Sequence, residues 1–442
     1  MVTKQHAKIS GLAAVAVAAA LLAVPSGALA SPAYDAALQR MLARPADAEA
    51  AFQFATIAAQ EGDVTAAISA LERILLIHPG LDNIRLELGV LHLRNGNTAL
   101  GQKLIEEAMK SPDIPDDVRA RSQQFLTAAR SAEAPAAFAG TVSFGLRHES
   151  NANAAPDQTF SIGSFTLSPG STGRADTSYT FGAALRSRVD LGMQAGHQLA
   201  LDLSYFGNRY QTETQLDLDR LGASAGADFN IGMGGPNPSR LSFRLDAAKY
   251  LRDGSHFLTE TGASLRYGFR ASPTMQAQVS AYYLDQEYRA TAAEPANDLR
   301  DGHIAGFSAQ LDMALSDRQA AFVALNAYDK SARVDYEAFH EASIAAGYSL
   351  AFDGPGAMAA NGPWVAGLSA SLGRRVYAGP DTVIDPVNAR EDKTMAVSLS
   401  LRVPVTARTL MTGEVSYSRR ESNYPTSEYD NLAATIGLEL NF

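Results

Sequence analysis

The chain has 442 residues and no cysteine, which excludes disulfide bonds, a thiolate metal site and a cysteine nucleophile. A formal net charge of -10 argues against a nucleic-acid partner, because phosphate binding requires a basic surface. The length predicts two or more domains. Beyond the N-terminal segment no run approaches about eighteen apolar residues, which excludes a helical membrane protein.

The N-terminus has the features of a secretory signal peptide. Residues 4–8 contain two lysines and a histidine, residues 11–24 are apolar, and residues 28–30 form an A-x-A cleavage site. We predict that residues 1–30 are removed and that the mature chain begins at Ser31. Because the apolar run is shorter than a membrane span and precedes a processing site, a retained anchor is the less favoured alternative.

Residues 31–134 show a helical pattern with a period of thirty-four residues. Gly62 recurs as Gly96, and Pro45 recurs as Pro79. This period resembles the tetratricopeptide repeat, in which small residues let antiparallel helices approach and glycine permits the reversal between them. The pattern predicts an α-helical domain of about two full repeats, the minimum that such a stack needs.

Half-units flank these repeats at residues 34–44 and 116–130, and residues 133–137 form the predicted linker to the second domain. In repeats of this kind the first helix of each pair lines a concave groove. The predicted groove-lining residues are Phe52, Thr56, Ala59, Asn83, Leu86, Val90 and Arg94. Since two repeats offer little surface, a peptide-binding groove and a rigid spacer both remain open.

Residues 138–442 alternate between apolar and polar positions in segments that Gly, Pro, Asn and Asp separate. A period of two predicts strands with one face toward lipid and one toward a wet interior. The predicted strands lie near 139–149, 176–190, 197–211, 216–231, 240–252, 256–271, 275–289, 301–315, 319–332, 335–351, 363–378, 391–405, 409–421 and 428–442. Because an open edge cannot persist in a bilayer, these strands should close into an antiparallel transmembrane β-barrel. Twelve or sixteen strands remain open as alternatives to fourteen.

The last predicted strand shows the alternation most clearly. Leu440, Leu438 and Ile436 share one face, and the chain ends on Phe442. A C-terminal aromatic is typical of outer-membrane barrels, so we expect the barrel-assembly machinery to bind through Phe442 and membrane lipid to surround the barrel. An even strand count returns the chain to its side of entry, which predicts that the helical domain and Phe442 face the periplasm.

Charged residues occupy the polar face of the predicted strands, where they must point into the lumen because charge is costly on the lipid side. The candidate lumen residues are Arg186, Arg188, Arg244, Arg266, Arg402 and Glu414. A charged path for a polar cargo and a salt-bridge network that braces the wall both fit them. Six tyrosines near strand ends are expected to be membrane-interface anchors, namely Tyr179, Tyr205, Tyr282, Tyr288, Tyr328 and Tyr377.

No catalytic or cofactor-binding pattern emerges from the sequence. The eight histidines are scattered, and no phosphate loop or dinucleotide fingerprint follows a strand, so we expect neither an enzyme nor a cofactor. Glu149, Asn151, Asn153 and Asp157 offer alternating oxygen atoms after the first barrel strand. Calcium prefers such ligands, but the stretch lacks the glycine of a known calcium loop, so a loop that caps the strand is the favoured interpretation.

Three stretches carry a resemblance to a known family. They are residues 71–89 in the repeats, residues 118–126 before the barrel, and residues 145–156, where Glu-Ser-Asn-Ala-Asn ends the first strand. Together they resemble the surface lipoprotein assembly modifier family, and Asn151 and Asn153 match its most specific motif.

The resemblance implies a periplasmic tetratricopeptide domain and a fourteen-stranded outer-membrane barrel in a Gram-negative bacterium. It also implies a translocon-like role in the export or surface display of lipoproteins or related secreted proteins, with the client bound by the repeats and passed outward by the barrel. A polysaccharide or small-solute channel with a repeat domain is the alternative, and an adhesin-like structural barrel is a third hypothesis.

Overall fold

The computed structural model describes residues 31–95, 97–112, 114, 119, 122–123, 126, 136–159, 161–162, 165–166, 171–193, 195–231, 239–291, 294–356 and 361–442. The predicted signal peptide (1–30) lies outside these residues, as do most of the predicted capping helix (116–130) and of the linker (133–137). No helix among the described residues is both long and apolar enough to cross a membrane.

Within residues 31–112, as far as the structure describes them, five helices occur, and their bounds are α1 Pro32–Ala43, α2 Ala48–Gln60, α3 Val64–Ile77, α4 Asp82–Arg94 and α5 Thr98–Ala108. The side chains of Asp47 and Asp63 accept backbone N–H groups in the first turns of α2 and α3, which satisfies donors that the helix leaves unpaired. Gly62 takes a φ of 92° at the reversal between these helices, a conformation that suits glycine.

Small residues set the close packing of the helices. Ala58, Ala67 and Ile74 are fully buried in the core that α1 to α4 share. Between α4 and α5, a Cβ added at Gly89 would lie 2.9 Å from the carbonyl oxygen of Gly101, so this pair of helices approaches too closely for larger residues.

Fourteen antiparallel strands form one closed barrel, as predicted. Their bounds are β1 Ala136–Glu149, β2 Asp176–Asp190, β3 Gln198–Tyr210, β4 Leu218–Ile231, β5 Ser239–Arg252, β6 Ser255–Ser272, β7 Met275–Tyr288, β8 Gly302–Ser316, β9 Gln319–Lys330, β10 Phe339–Phe352, β11 Trp364–Tyr377, β12 Glu391–Pro404, β13 Thr409–Ser422 and β14 Tyr429–Asn441. Each strand pairs with the next in the chain, and β14 pairs with β1.

The strand with the largest boundary error is β10, which was predicted to begin at residue 335 and begins at Phe339. Residues 335–337 form a turn instead, with the Glu337 N–H donating to the Val334 carbonyl at 3.1 Å. The hydrophobic alternation continues through this turn, so the pattern alone placed the strand start too early.

An apolar belt covers the outside of the barrel. On β12 the side chains of Met395, Val397 and Leu399 are exposed, and they alternate with the smaller Ser398 and Ser400, which face inward. The other strands repeat this arrangement. Exposed apolar side chains at alternate positions around a closed sheet require lipid as their surroundings.

The barrel closes between β1 and β14, whose register runs from Thr141 opposite Asn441 to Glu149 opposite Ala433. Gly140 and Phe442 extend the pairing by exchanging two backbone hydrogen bonds of 2.8 and 3.0 Å. The Phe442 ring lies over Gly140, where a Cβ would collide with it. The terminal aromatic therefore belongs to the seam itself.

Loop length divides the barrel into two rims. The rim that holds the start of β1 and the end of β14, here called the terminal rim, carries mostly short turns, with residues 353–363 as the longer exception. The opposite rim, here called the loop rim, carries the long segments 150–175, 289–301 and 378–390. A two-residue ladder, Ser161–Ile162 with Phe165–Thr166, lies within the first of these.

Two glycines on β6 offer a test of the strand packing. A Cβ added at Gly262 would collide with the backbone carbonyl oxygen of Tyr283. A Cβ added at Gly268 would have as its nearest neighbour the carbonyl oxygen of Ala277, 4.0 Å away. We expect Gly262→Ala to lower the free energy of unfolding by about 1–3 kcal/mol, because the backbone must move. Gly268→Ala should stay within about 0.5 kcal/mol of the parent. Urea unfolding in detergent micelles measures both, and equal values would contradict the close approach at Gly262.

Candidate functional site in the barrel lumen

The lumen wall contains all six candidate residues that the sequence placed there. Arg186 and Arg188 lie on β2, Arg244 on β5, Arg266 on β6, and Arg402 and Glu414 on β12 and β13. All six alternate with the exposed apolar residues of their strands and so occupy the inward face. The structure separates them into paired and unpaired groups.

The paired group is a network of four side chains on β2 to β5, here called the wall network. Arg188 binds Asp202 with two hydrogen bonds of 2.7 and 3.2 Å. Arg244 binds Asp228 at 2.6 Å and lies 4.0 Å from Asp202, while Arg188 lies 3.7 Å from Asp228. Two arginines thus alternate with two aspartates. Because Asp228 is only 3% exposed, its charge depends on these partners, and the network braces the wall.

The unpaired group comprises Arg186, Arg266, Arg402 and Glu414. All four side chains are exposed to the lumen, and within the described part of the chain none forms an ion pair within 4.0 Å. The paired group fits the bracing interpretation. A charged path for a polar cargo stays a prediction for the unpaired group.

The tyrosine prediction was wrong for four of six residues. Tyr179 and Tyr205 lie on the outer face, as expected of membrane-interface anchors, but Tyr282, Tyr288, Tyr328 and Tyr377 turn into the lumen. The Tyr282 hydroxyl, for example, donates to the Asn326 side chain across β8 at 3.3 Å. Position near a strand end does not decide which face a side chain takes; the phase of the strand does.

Three of these inward tyrosines line a cavity of about 410 Å³ at the loop rim, here called the rim cavity. Strands β7 to β13 and the loops between them build it. Its lining includes Gln286, Tyr288, Arg300, Tyr328, Lys330, Tyr336, Glu337, Phe339, Arg375, Tyr377, Asp381, Arg390, Arg420 and Tyr424. Aromatic rings and cationic side chains dominate this set. This cluster was not predicted from the sequence, although the inward phase of its strand residues was a usable signal.

Arg375 is fixed at the centre of the aromatic wall. Its guanidinium donates to Glu341 at 2.6 Å and to the hydroxyls of Tyr328 and Tyr377, each at 3.4 Å. The guanidinium carbon also lies 4.1 Å from the centroid of the Phe339 ring, which is a cation–π contact. With these four partners in place, Arg375 orients the rings around it.

Two further arginines share one carboxylate. Arg390 binds Asp392 in a two-point pair of 2.9 and 2.7 Å and lies 4.9 Å from the centroid of the Tyr377 ring. Arg420 lies 3.9 Å from the same carboxylate, and its Nε is buried without a hydrogen-bond partner. Because Asp392 is already saturated by Arg390 and Ser422, Arg420 keeps an unsatisfied donor at the cavity wall.

Lys330 is the most buried cation of the cavity, with 7% of its surface exposed. Its Nζ donates to the Gln286 side chain at 2.7 Å and to the Arg300 carbonyl at 2.9 Å, and it lies 5.1 Å from the Tyr288 ring centroid. Within the described residues no carboxylate lies within 4.0 Å of it. Both of its hydrogen-bond partners are therefore neutral.

The loop segment 378–390 closes one side of the rim cavity and is well braced. The buried Tyr424 donates to the Asn388 carbonyl at 2.7 Å and accepts the Asp381 N–H at 3.0 Å. The Asn388 side chain and the backbone N–H groups of Val387 and Asn388 hold the pKa of Asp385 below its usual value. This loop is thus pre-organised by its own hydrogen bonds.

The two motif asparagines hold the first long loop to the barrel. Asn151 is buried; its amide donates to the carbonyls of Ala155 and Asp430 at 2.8 and 3.0 Å. The Asn153 side chain donates to the Thr172 carbonyl at 2.9 Å and accepts the Arg174 N–H at 2.8 Å. Both amides are occupied within the chain, which favours the strand-capping interpretation. No metal-binding cluster occurs among the residues that the structure describes.

The predicted groove residues have different surroundings. Thr56 and Asn83 are exposed, and Phe52 is half-buried against the helical core. Leu86 contradicts the prediction: it is only 5% exposed and packs with Val90 against Ala108 and Ile114. The segment that follows α4 covers this face, so Leu86 and Val90 serve packing. Arg94 ends α4, and its side chain lies outside the described part of the chain.

A closed antiparallel barrel with an apolar outer belt and charged residues turned inward defines an outer-membrane β-barrel protein. The fold and the lumen both fit that class. The chain belongs to the surface lipoprotein assembly modifier family, whose model matches residues 138–442. The match begins two residues inside β1 and contains the other thirteen strands in full. Family and fold point to a non-enzymatic protein.

Several solved barrels are similar to this chain. A bacterial polysaccharide outer membrane secretin shows 11% identity and a TM-score of 0.36, covering 68% of this chain and 98% of its own. The outer membrane channel DcaP of Acinetobacter baumannii shows 9% identity and a TM-score of 0.39, and the match covers 70% of this chain and 97% of DcaP. An anion-selective porin from Comamonas acidovorans shows 8% identity and a TM-score of 0.35, and the match covers 70% of this chain and 99% of the porin. Likeness at this level carries no argument about function. A comparison with curated proteins found no match.

Proposed function

We propose that the protein assists the export or surface display of a lipoprotein or a related secreted protein. The observation that carries this proposal is the family membership of the barrel, which here follows a helical region. In the proposed arrangement the helices lie in the periplasm and bind the client. The barrel, embedded in outer-membrane lipid after assembly through its C-terminal Phe442, hands the client outward.

In this proposal the unpaired lumen charges are the barrel residues that contact the client. Arg186, Arg266 and Arg402 are positive, exposed and unpaired, so they can contact a polar segment of a client without breaking the wall network. The exposed Thr56 and Asn83 on the first helices of the two repeats are the corresponding candidates for client contact in the helical region. Both sets can be changed without opening a buried core.

Deletion of the gene should trap a client inside the cell. We expect one or more lipoproteins or secreted proteins to disappear from the surface proteome, measured by labelling intact cells with a membrane-impermeant biotin reagent. The full chain should restore the signal. A chain with Arg186, Arg266 and Arg402 replaced by glutamine should restore it poorly although its barrel folds. An unchanged surface proteome in the deletion strain would refute the proposal.

The second candidate is a porin-like channel for a polysaccharide or small solute, and the exposed, unpaired lumen arginines favour it. Such a channel should conduct ions in a planar bilayer, and the three-glutamine variant should lose preference for anions because three positive charges leave the pathway. A barrel that conducts no ions, together with a client trapped inside cells of the deletion strain, would decide for export. An open, anion-preferring barrel without any client would decide for the channel.

A further inference from the structure

The lining of the rim cavity contains five cationic side chains but only two carboxylates, Glu337 and Asp381. Lys330 is 7% exposed and has only neutral hydrogen-bond partners. The Arg420 Nε is buried without a hydrogen-bond partner, and its nearest carboxylate, Asp392 at 3.9 Å, is already bound twice by Arg390. Buried cations in this state are costly unless an anion joins them. The site therefore favours an anionic ligand.

The walls of the cavity indicate the shape of that ligand. Tyr288, Tyr328, Phe339 and Tyr377 supply flat aromatic surfaces, and Arg375 holds the last three in place through the contacts described above. Aromatic faces stack on flat or ring-shaped molecules, and the hydroxyls at their edges bind polar substituents. A volume of about 410 Å³ is in the range of small-ligand pockets and too small for a folded client.

We propose that the rim cavity is a binding site for a sugar-sized ring that carries a carboxylate or a phosphate group. In this site the anion is bound by Arg420 and Lys330, and the ring stacks on the tyrosines. Such a ligand reaches the cavity either as a free solute or as the sugar of a lipid headgroup. The inference goes beyond the proposed export role and does not depend on it.

Titration calorimetry on the full-length protein in detergent micelles tests the site, with glucuronate, glucose 1-phosphate and neutral glucose as probes. We expect the two anions to bind and glucose to bind at least about tenfold more weakly, because only the anions form charge-assisted hydrogen bonds. Arg420→Gln should weaken the anions about tenfold and leave glucose unchanged. Glu337→Gln should strengthen the anions, since it removes a negative charge from the lining.

Arg419→Gln is the matched control. Arg419 is the neighbour of Arg420 on β13, but it faces outward, where it pairs with Glu421 at 3.3 Å. It should bind the anions like the parent. Resistance of the folded barrel to unfolding in cold SDS confirms that each variant is intact. Equal binding of glucose and glucuronate, or equal effects of the Arg419 and Arg420 changes, would overturn the proposal.

Competition distinguishes the two sources of the ligand. If lipopolysaccharide in mixed micelles displaces glucose 1-phosphate, a lipid headgroup occupies the site. If it does not, the ligand is a free solute. Both results uphold the anionic ring as the ligand chemistry. If Glu337→Gln and Arg420→Gln both bound the anions with the affinity of the parent, the cavity charges would play no part in binding. That result would overturn the proposal.

Discussion

Cysteines that replace Ser143 and Glu439 should form a disulfide that turns the barrel into a covalent ring. These residues are opposite each other in the register of β1 and β14, and both face the lumen. Gly140 and Phe442 exchange both backbone hydrogen bonds, so the pair three residues further along each strand is a non-hydrogen-bonded pair. The Cα atoms of such pairs lie about 4.5 Å apart, which suits a disulfide.

The natural absence of cysteine makes this experiment clean, since no other pairing can occur. After mild oxidation and boiling in SDS without reductant, the cross-linked chain should migrate faster than the reduced chain, because its unfolded form contains a closed loop. We expect most of the protein to cross-link. This result would establish the closure of the barrel and its strand register at the same time.

The matched control moves one cysteine by a single residue, to Val142, and keeps the other at position 439. Val142 lies on the lipid-facing side of β1, so the two Cβ atoms point to opposite faces of the sheet and cannot approach. Only traces of cross-link should form. Comparable cross-linking in both double variants would mean that β1 and β14 slide or separate, which contradicts a fixed seam.

Replacing Arg244 by alanine should lower the free energy of unfolding by about 2–4 kcal/mol. The change removes the closest partner of Asp228, which is 3% exposed, and leaves Arg188 to share two aspartates at 2.7 and 3.7 Å. An incompletely paired carboxylate in a buried position is costly. Urea unfolding in detergent micelles measures the change, and Trp364, the single tryptophan, reports it by fluorescence.

Arg266→Ala is the control for this experiment. Arg266 lies on the neighbouring strand β6 and faces the same lumen, but it is exposed and has no ion pair within the described residues. Its removal should change the free energy of unfolding by less than about 0.5 kcal/mol. If both variants lost the same stability, the wall network would not be what braces this part of the barrel. The two arginines therefore separate the effect of the wall network from the effect of removing any lumen charge.

The closed barrel of fourteen strands could be predicted from the sequence because lipid imposes a strict rule on it. A strand between lipid and water must alternate apolar and polar residues, and an open edge is forbidden, so period and closure follow from local pattern alone. The same local pattern predicted the inward position of Arg402 and Glu414 and the place of Phe442 at the end of the last strand. The start of β10 shows the largest boundary error, four residues, since its preceding turn continues the alternation.

The tertiary structure decided which charges pair. Arg186 and Arg188 are two residues apart on one face of β2, and no local pattern distinguishes them. Asp202 lies directly opposite Arg186 in the register, yet it pairs with Arg188, because the stagger of tilted strands aligns long side chains diagonally. Asp228 from β4 and Arg244 from β5 then complete the network, so pairing depends on four strands at once.

The rim cavity was also beyond the sequence, since loops and strands far apart in the chain meet there. Tyr288, Tyr377 and Tyr424 come from separate parts of the chain and meet only when the barrel closes. The burial of Leu86 has the same origin, because Ala108 and Ile114 cover it only after the helices stack. Sequence alone thus determined that the strands form a closed barrel and which face of each strand contacts lipid. Tertiary structure decided the partners of each inward side chain, because contacts between distant segments are set by stagger and closure.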